Sequence, residues 1–338
     1  MIETIAVRHE RVQPFRFADK KVVVTGVSSF IGCYLAAHFS RLGADVVGTV
    51  SDEVSNYTGI RKERLQFVLS SGVRLERLNI EESITLSSFV LKEQPRLWLQ
   101  HAGYVSGYES DGYDLNTANS INVLALKPLF EALAAAGAEG MILTGTMSEY
   151  GDTTAACLEE DACWPNTAYG LSKLAATLRA RQLASLYGMK TRVARIFIPF
   201  GVLDSPRKLL PSALTALIAQ RPLDLTACEQ RRDFCSIQDI VEGYEALAAD
   251  LERDVMFDII NLCGGSALSL KTLLMMMAAE LSADPSVLRF GALPMRPGES
   301  MVNYGANDKA RRLLGWVPRE LESSLKTYVS EFRNRLRR

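Results

Sequence analysis

The sequence is poor in histidine, in clustered cysteine and in long apolar runs. Three histidines (His9, His38, His101) are too few for a zinc centre built on imidazole, and the cysteines (Cys33, Cys157, Cys163, Cys228, Cys235, Cys263) are scattered without any Cys-x-x-Cys spacing, so no metal site is expected. No apolar stretch reaches the roughly 18 residues that span a bilayer. The opening MIETIAVRHERVQPFRF lacks a signal-peptide core, so a cytoplasmic protein with reduced thiols and no membrane partner is expected. An excess of one charge is also missing: 38 basic side chains stand against 39 acidic ones, which gives no bulk attraction to nucleic acid. What is present is an ordinary globular balance, 48% hydrophobic over 338 residues, enough for one large domain or two intimately joined ones.

The pattern after a polar lead-in (residues 1–18) alternates strands with helices. Lys21 onward reads KVVVTG, a β-branched run closed by a turn residue; apolar positions Ile31, Leu35, Ala36, Phe39 and Leu42 follow at helical spacing, Gly43 stops the helix, and Ala44 to Val50 gives a second strand. Further strands are predicted at Arg74 to Leu78, Leu97 to His101, Gly140 to Thr144 and Thr191 to Ile196, with helices at Ser120 to Ala135 and Ala168 to Tyr187. Pro128 predicts a kink or a later start in the first of these. The order implies an α/β fold with a doubly wound parallel sheet over residues 19–197, with returning segments near 228–262, and a smaller C-terminal lobe over 198–338. That lobe is expected to carry helices at Leu210 to Gln220, Ile237 to Ala249, Leu270 to Ala283 and Asp308 to Leu314.

Between the first strand and helix lies Gly26-Val27-Ser28-Ser29-Phe30-Ile31-Gly32. Gly26 permits a tight turn, Gly32 lets the helix approach the sheet, and the amides at the helix start face outward where a pyrophosphate is favoured. Ser29 replaces the middle glycine of the usual pattern. At the end of the second strand, where an acid would bind the adenosine ribose, stands Val50, with Ser51 beside it as a phosphate donor; this favours NADP over NAD. A one-residue shift would bring in Asp52 and reverse the preference.

Tyr169-Gly170-Leu171-Ser172-Lys173 opens a predicted helix, with Tyr169 and Lys173 four residues apart on one face. A nearby ammonium, helped by an oxidised nicotinamide, lowers the pKa of a phenol, so the pair is suited to proton transfer. Thr146, at the end of the preceding strand, can hold a substrate oxygen beside Tyr169.

With the glycine turn, Thr146, Tyr169 and Lys173 in order, the chain resembles the extended short-chain dehydrogenase/reductases, the family of nucleotide-sugar epimerases, dehydratases and reductases, from about Lys21 to nearly the C-terminus. The resemblance implies a Rossmann-like fold with Tyr169 as general acid/base, Lys173 lowering its pKa and holding the nicotinamide ribose, and Thr146 orienting the reacting oxygen. It assigns Gly26, Ser28, Ser29, Phe30, Ile31, Gly32, Ser51, Asn79, Ile80, His101, Ala102 and Gly103 to the cofactor, and Asn122 to the family's helix asparagine. Thr146, Ser148, Arg232 and Arg296 are assigned to the substrate, the arginines gripping a nucleotide diphosphate, with a salt bridge inside the small lobe as the alternative for both. A homodimer through Ser120 to Ala135 and Ala168 to Tyr187 is also implied.

The family's 4,6-dehydratases carry an Asp-Glu pair after the catalytic Ser/Thr; Met147 and Ser148 stand there, and Glu149, one place later, should face the other way. Dehydration is therefore disfavoured. A 4-keto-6-deoxy sugar reductase is the leading expectation, because the missing ribose-binding acid points to an exchangeable NADPH. The alternatives are an epimerase that retains NAD and a non-catalytic cofactor-sensing protein. Ile198, where many members place an asparagine near the diphosphate, leaves room for a smaller carbonyl substrate.

Overall fold

A computed structural model describes residues 17–18, 20–108, 112–295 and 299–336. Arg296 and nearly all of the lead-in 1–18 lie outside the described residues. In chain order the strands are β1 (Lys21–Thr25), β2 (Asp45–Val50), β3 (Arg74–Arg77), β4 (Leu97–Gln100), β5 (Gly140–Thr146) and β6 (Thr191–Ile196). Short strands β7 (Ile198–Phe200), β8 (Leu223–Asp224), β9 (Arg231–Arg232) and β10 (Phe234–Ser236) precede β11 (Phe257–Leu262), and β12 (Leu268–Ser269), β13 (Leu288–Arg289) and β14 (Val302–Asn303) follow it.

The central sheet has seven strands in the order β11-β6-β5-β4-β1-β2-β3, and every pairing is parallel. The chain runs outward from β1 to β3, then crosses back to β4 beside β1. That reversal opens a crevice between β1 and β4 at the carboxyl ends of the strands, where ligands of open α/β sheets bind.

The helices are α1 (Phe30–Arg41), α2 (Gly59–Ser70), α3 (Ser83–Glu93), α4 (Leu115–Asn119), α5 (Leu126–Ala135), α6 (Ala168–Tyr187), α7 (Leu209–Ala219), α8 (Ile237–Asp250), α9 (Leu270–Leu281), α10 (Asp308–Leu314) and α11 (Leu321–Leu336). Because both faces of a parallel sheet are covered, its strands read as continuous apolar runs. Val22 and Val24 pack with α1 and α8 on one face, and Val23 with Trp98, Phe130 and Leu183 on the other. A third cluster, with Phe200, Leu214, Leu274 and Tyr328, is drawn from the C-terminal part of the chain. β11 closes one sheet edge and α8 covers one face of the sheet.

Pro128 leaves a specific mark. Lacking an N–H, it cannot bond the carbonyl of Leu124. The turn from Ser120 to Leu124 widens into a π-helix, with the Ala125 N–H reaching Ser120 at 3.2 Å, and the regular helix resumes at Leu126. The helical stretch also begins earlier than expected, at Leu115, capped by the Asp114 carboxylate on the amides of Asn116 and Thr117.

Candidate active site

The turn after β1 is held from both sides. Gly26 has φ +73°, and a Cβ there would come within 3.1 Å of the Ala102 backbone on the β4 loop. Gly32 is packed harder: its Cβ would lie 2.4 Å from the Gly26 carbonyl oxygen. Ser29 caps α1, its hydroxyl accepting from the Gly32 N–H at 3.1 Å, which leaves the first two helix amides, Phe30 and Ile31, without an intrahelical acceptor. Two open amides, a helix N-terminus and a glycine cradle fit a dinucleotide pyrophosphate. Ser28 contributes its carbonyl to Arg64 at 3.2 Å.

The serine in place of the middle glycine has a partner that sequence reasoning missed. His101 Nε2 lies 2.9 Å from Ser29 Oγ, and His101 Nδ1 lies 3.0 Å from Thr144 Oγ1, which in turn meets the Tyr244 hydroxyl at 2.6 Å. Desolvation, with the Lys173 charge adding to it, pushes the imidazole down to about 3, so it is neutral. Sequence spacing carried no signal for it, since the three residues lie 43 and 72 positions apart.

At the end of β2 the Val50 side chain is buried at 2% exposure, and Ser51 beside it is exposed, its hydroxyl 3.4 Å from that of Tyr57. Asp52 is committed to its own turn, its carboxylate accepting from the Glu53 N–H at 2.7 Å and from Asn56 at 3.0 Å. Asn79 is likewise turned to its neighbours, donating to Glu82 at 3.0 Å and accepting from the Glu81 N–H, and Ile80 is buried in the core. Gly103 abuts Asn122, whose Oδ1 takes the Tyr104 N–H at 2.8 Å while its Nδ2 donates to Ser172 at 3.2 Å.

Tyr169 and Lys173 sit in the first turns of α6, which Thr167 caps through the Gly170 N–H at 3.0 Å. A Cβ on Gly170 would lie 2.2 Å from the Ser148 carbonyl, so the helix start is pressed against the end of β5. The Tyr169 ring meets Tyr108 and Tyr113 at 5.5 and 5.9 Å between centroids, and Tyr113 donates to the Tyr104 carbonyl at 2.9 Å and lies 3.1 Å from Ser172. Thr146 and Ser148 lie in hydrogen-bond contact at the strand end.

Without a dinucleotide beside it, the Tyr169 phenol is pushed up to about 12, chiefly by burial, with a hydrogen bond to Thr146 opposing and Glu149 and Tyr113 adding to the rise. Lys173 is engaged elsewhere: its ammonium donates to the Thr144 carbonyl at 2.6 Å, and burial lowers its own pKa.

Glu149 folds back onto Thr146 in a capping box: it is fully buried and bonded to Arg195, Thr177 and the Thr146 N–H. Arg232 has the intralobe partners of its alternative reading, Glu299 at 3.6 Å and the Ser300 carbonyl at 2.7 Å. Among the described residues no helix is long and apolar enough to cross a membrane.

Comparison with known proteins agrees with this geometry. The profile described as "NAD dependent epimerase/dehydratase family" matches residues 22–263. The chain is 24% identical over 325 residues to UDP-glucose 4-epimerase of Azospirillum brasilense, covering 89% of this chain and 88% of that one. It is 27% identical over 229 residues to GDP-6-deoxy-D-mannose reductase of Pseudomonas aeruginosa, covering 64% and 74%. Among solved structures it matches UDP-glucuronic acid 4-epimerase of Bacillus cereus, in complex with a UDP-sugar analogue and NAD, with a TM-score of 0.82, 21% identity and coverage of 93% and 99%. The glycine turn on the first crossover, the Tyr169 and Lys173 pair beside Thr146 and the matched span together establish that the chain belongs to the NAD-dependent epimerase/dehydratase family, of the extended short-chain dehydrogenase/reductase type.

Proposed function

We infer that the protein reduces the 4-keto group of a 4-keto-6-deoxy nucleotide sugar, with NADPH as the reductant. The observation that carries this reading is Val50: a buried aliphatic side chain ends β2 where an acid would bind the ribose of NAD and repel a 2′-phosphate. Two relatives named as reductases of deoxy-sugar nucleotides support it, the GDP-6-deoxy-D-mannose enzyme and the Escherichia coli dTDP-4-dehydro-6-deoxyglucose reductase.

A bound nicotinamide dinucleotide supplies the hydride. The Phe30 and Ile31 amides would hold its pyrophosphate and Lys173 its ribose. Tyr169, protonated at neutral pH, donates its proton to the carbonyl oxygen as that oxygen gains charge, and the Thr146 hydroxyl bonds the same oxygen. Ketone, hydride and proton give the alcohol. Arg232 reaches a diphosphate only by exchanging Glu299 for it.

The test is NADPH absorbance with a panel of 4-keto-6-deoxy nucleotide sugars. Consumption that falls by about 10²- to 10⁴-fold in Tyr169→Phe is expected. Interconversion of sugars without net cofactor use would instead establish the epimerase reading, which the near full-length similarity to the Azospirillum epimerase favours. Tight dinucleotide binding with no turnover would leave the cofactor-sensing protein. The same reading carries a homodimer through the π-helix and α6, where Leu124, Leu171 and Leu178 are about half exposed or more; light scattering measures it.

A further inference from the structure

Glu149 lies just past Thr146 in a single 3₁₀ turn, wholly removed from solvent. Its Oε1 accepts the Thr146 N–H at 2.9 Å, and its Oε2 accepts from the Thr177 hydroxyl at 2.9 Å and from Arg195 Nε at 3.0 Å. Thr177 follows Lys173 by four residues and Tyr169 by eight, so all three lie on one face of α6. The end of β5, the catalytic face of α6 and β6 therefore converge on one carboxylate. It has no slack, because a Cβ on Gly145 would stand 2.7 Å from Oε1. A buried carboxylate is costly unless paired, and Arg195 pairs it, its guanidinium lying 4.5 Å over the Tyr150 ring.

We propose that Glu149 is a positioning residue for the reaction: it ties the Thr146 amide to α6 and places a negative charge behind Tyr169 and Lys173, so that the pair enters the reaction as phenol and ammonium, the forms suited to giving a proton to a carbonyl oxygen. The proposal rests on the reductive reading above. Its direction follows from the groups around the pair. Tyr169 is faced by Glu149 and Tyr113, which raise its pKa, by the Thr146 hydroxyl, which lowers it, and by the Tyr108 ring. Lys173 is faced by Glu149, which favours its charged form, by neutral His101 and by the Thr144 carbonyl. Around Glu149 stand Arg195, Thr177 and, through Arg195, Tyr150 and Cys163. An oxidative step needs the phenolate as proton acceptor, and the same charge opposes it.

Glu149→Gln keeps the size and removes the charge. With oxidised dinucleotide bound and no sugar present, near-ultraviolet tyrosinate absorbance of each protein minus that of its Tyr169→Phe counterpart reads the ionisation of Tyr169 directly. We expect the titration to move to lower pH by about half a unit or more in Glu149→Gln. Because that variant leaves Arg195 buried and unpaired, the neutral pair Glu149→Gln/Arg195→Gln is measured beside it, with a smaller shift in the same direction expected, since the opposing Arg195 charge goes too. Glu149→Asp, which keeps the charge but falls short of the Thr146 amide, should retain the wild-type titration and lose about tenfold in kcat. Curves that superimpose on wild type in the folded neutral variants overturn the proposal. Since the titration needs no sugar, failure of the keto-sugar reading shows separately, as absence of NADPH consumption.

Discussion

Replacing His101 by Gln should reverse the order of stability between wild type and variant as the pH falls. The imidazole is half-buried between Ser29 and Thr144, with its pKa pushed from 6.5 down to about 3. Unfolding releases it to bind a proton at ordinary pH. Its contribution to stability is therefore present above about pH 6.5 and is lost as the pH falls toward 3. Between pH 7 and about 4.5 that loss reaches at most about 2.5 kcal/mol.

Asp233 works in the opposite sense. Buried, with its carboxylate taking the N–H groups of Gly264, Gly265 and Gly305, it is pushed from 3.8 up to about 6, so the folded state binds the proton first. Its contribution is present below about 3.8 and lost as the pH rises through 6, amounting to about 2 kcal/mol over the same interval. In wild type the two nearly offset. His101→Gln keeps a hydrogen-bonding side chain but no titration, costs about 1–2 kcal/mol at pH 7, and should match or exceed wild type near pH 4.5. Urea unfolding of both proteins at the two pH values measures the difference, in which all groups common to both cancel. A difference that stays constant within about 0.5 kcal/mol refutes the assignment of a neutral, desolvated imidazole.

Three further outcomes follow from single side chains. Val50→Asp should move the ratio of kcat/KM for NADH over NADPH upward by about tenfold or more, since it restores a ribose acceptor and sets a charge against the 2′-phosphate. Gly32→Ala, whose Cβ would meet the Gly26 carbonyl at 2.4 Å, should weaken dinucleotide affinity by at least about tenfold in a fluorescence titration while leaving the C-terminal lobe folded. Asp233→Asn turns an amide donor toward backbone N–H groups and should cost about 2–4 kcal/mol at pH 7, read by denaturant midpoint.

The elements legible in advance were those whose evidence is local. α6 runs from Ala168 to Tyr187 as its apolar spacing and bounding residues require, and β6 from Thr191 to Ile196, because periodicity and stop signals are contained in the segment itself. The β-branched run, the glycine turn and the four-residue step from Tyr169 to Lys173 are equally local. Chemistry that depends on two neighbours in the chain can be read along the chain.

The departures came where distant segments meet. Residue spacing could not show that Lys173 spends its ammonium on the Thr144 carbonyl, that Arg232 is paired with Glu299, or that His101 bridges Ser29 and Thr144. The π-turn ahead of Pro128 required the same three-dimensional view. The sequence by itself determined which groups are available and which helix face or strand end carries them, since that depends on backbone periodicity. The tertiary structure alone decided which of those groups are desolvated and which partner each side chain reaches, and burial and partner together set whether a phenol, an imidazole or a carboxylate holds its proton.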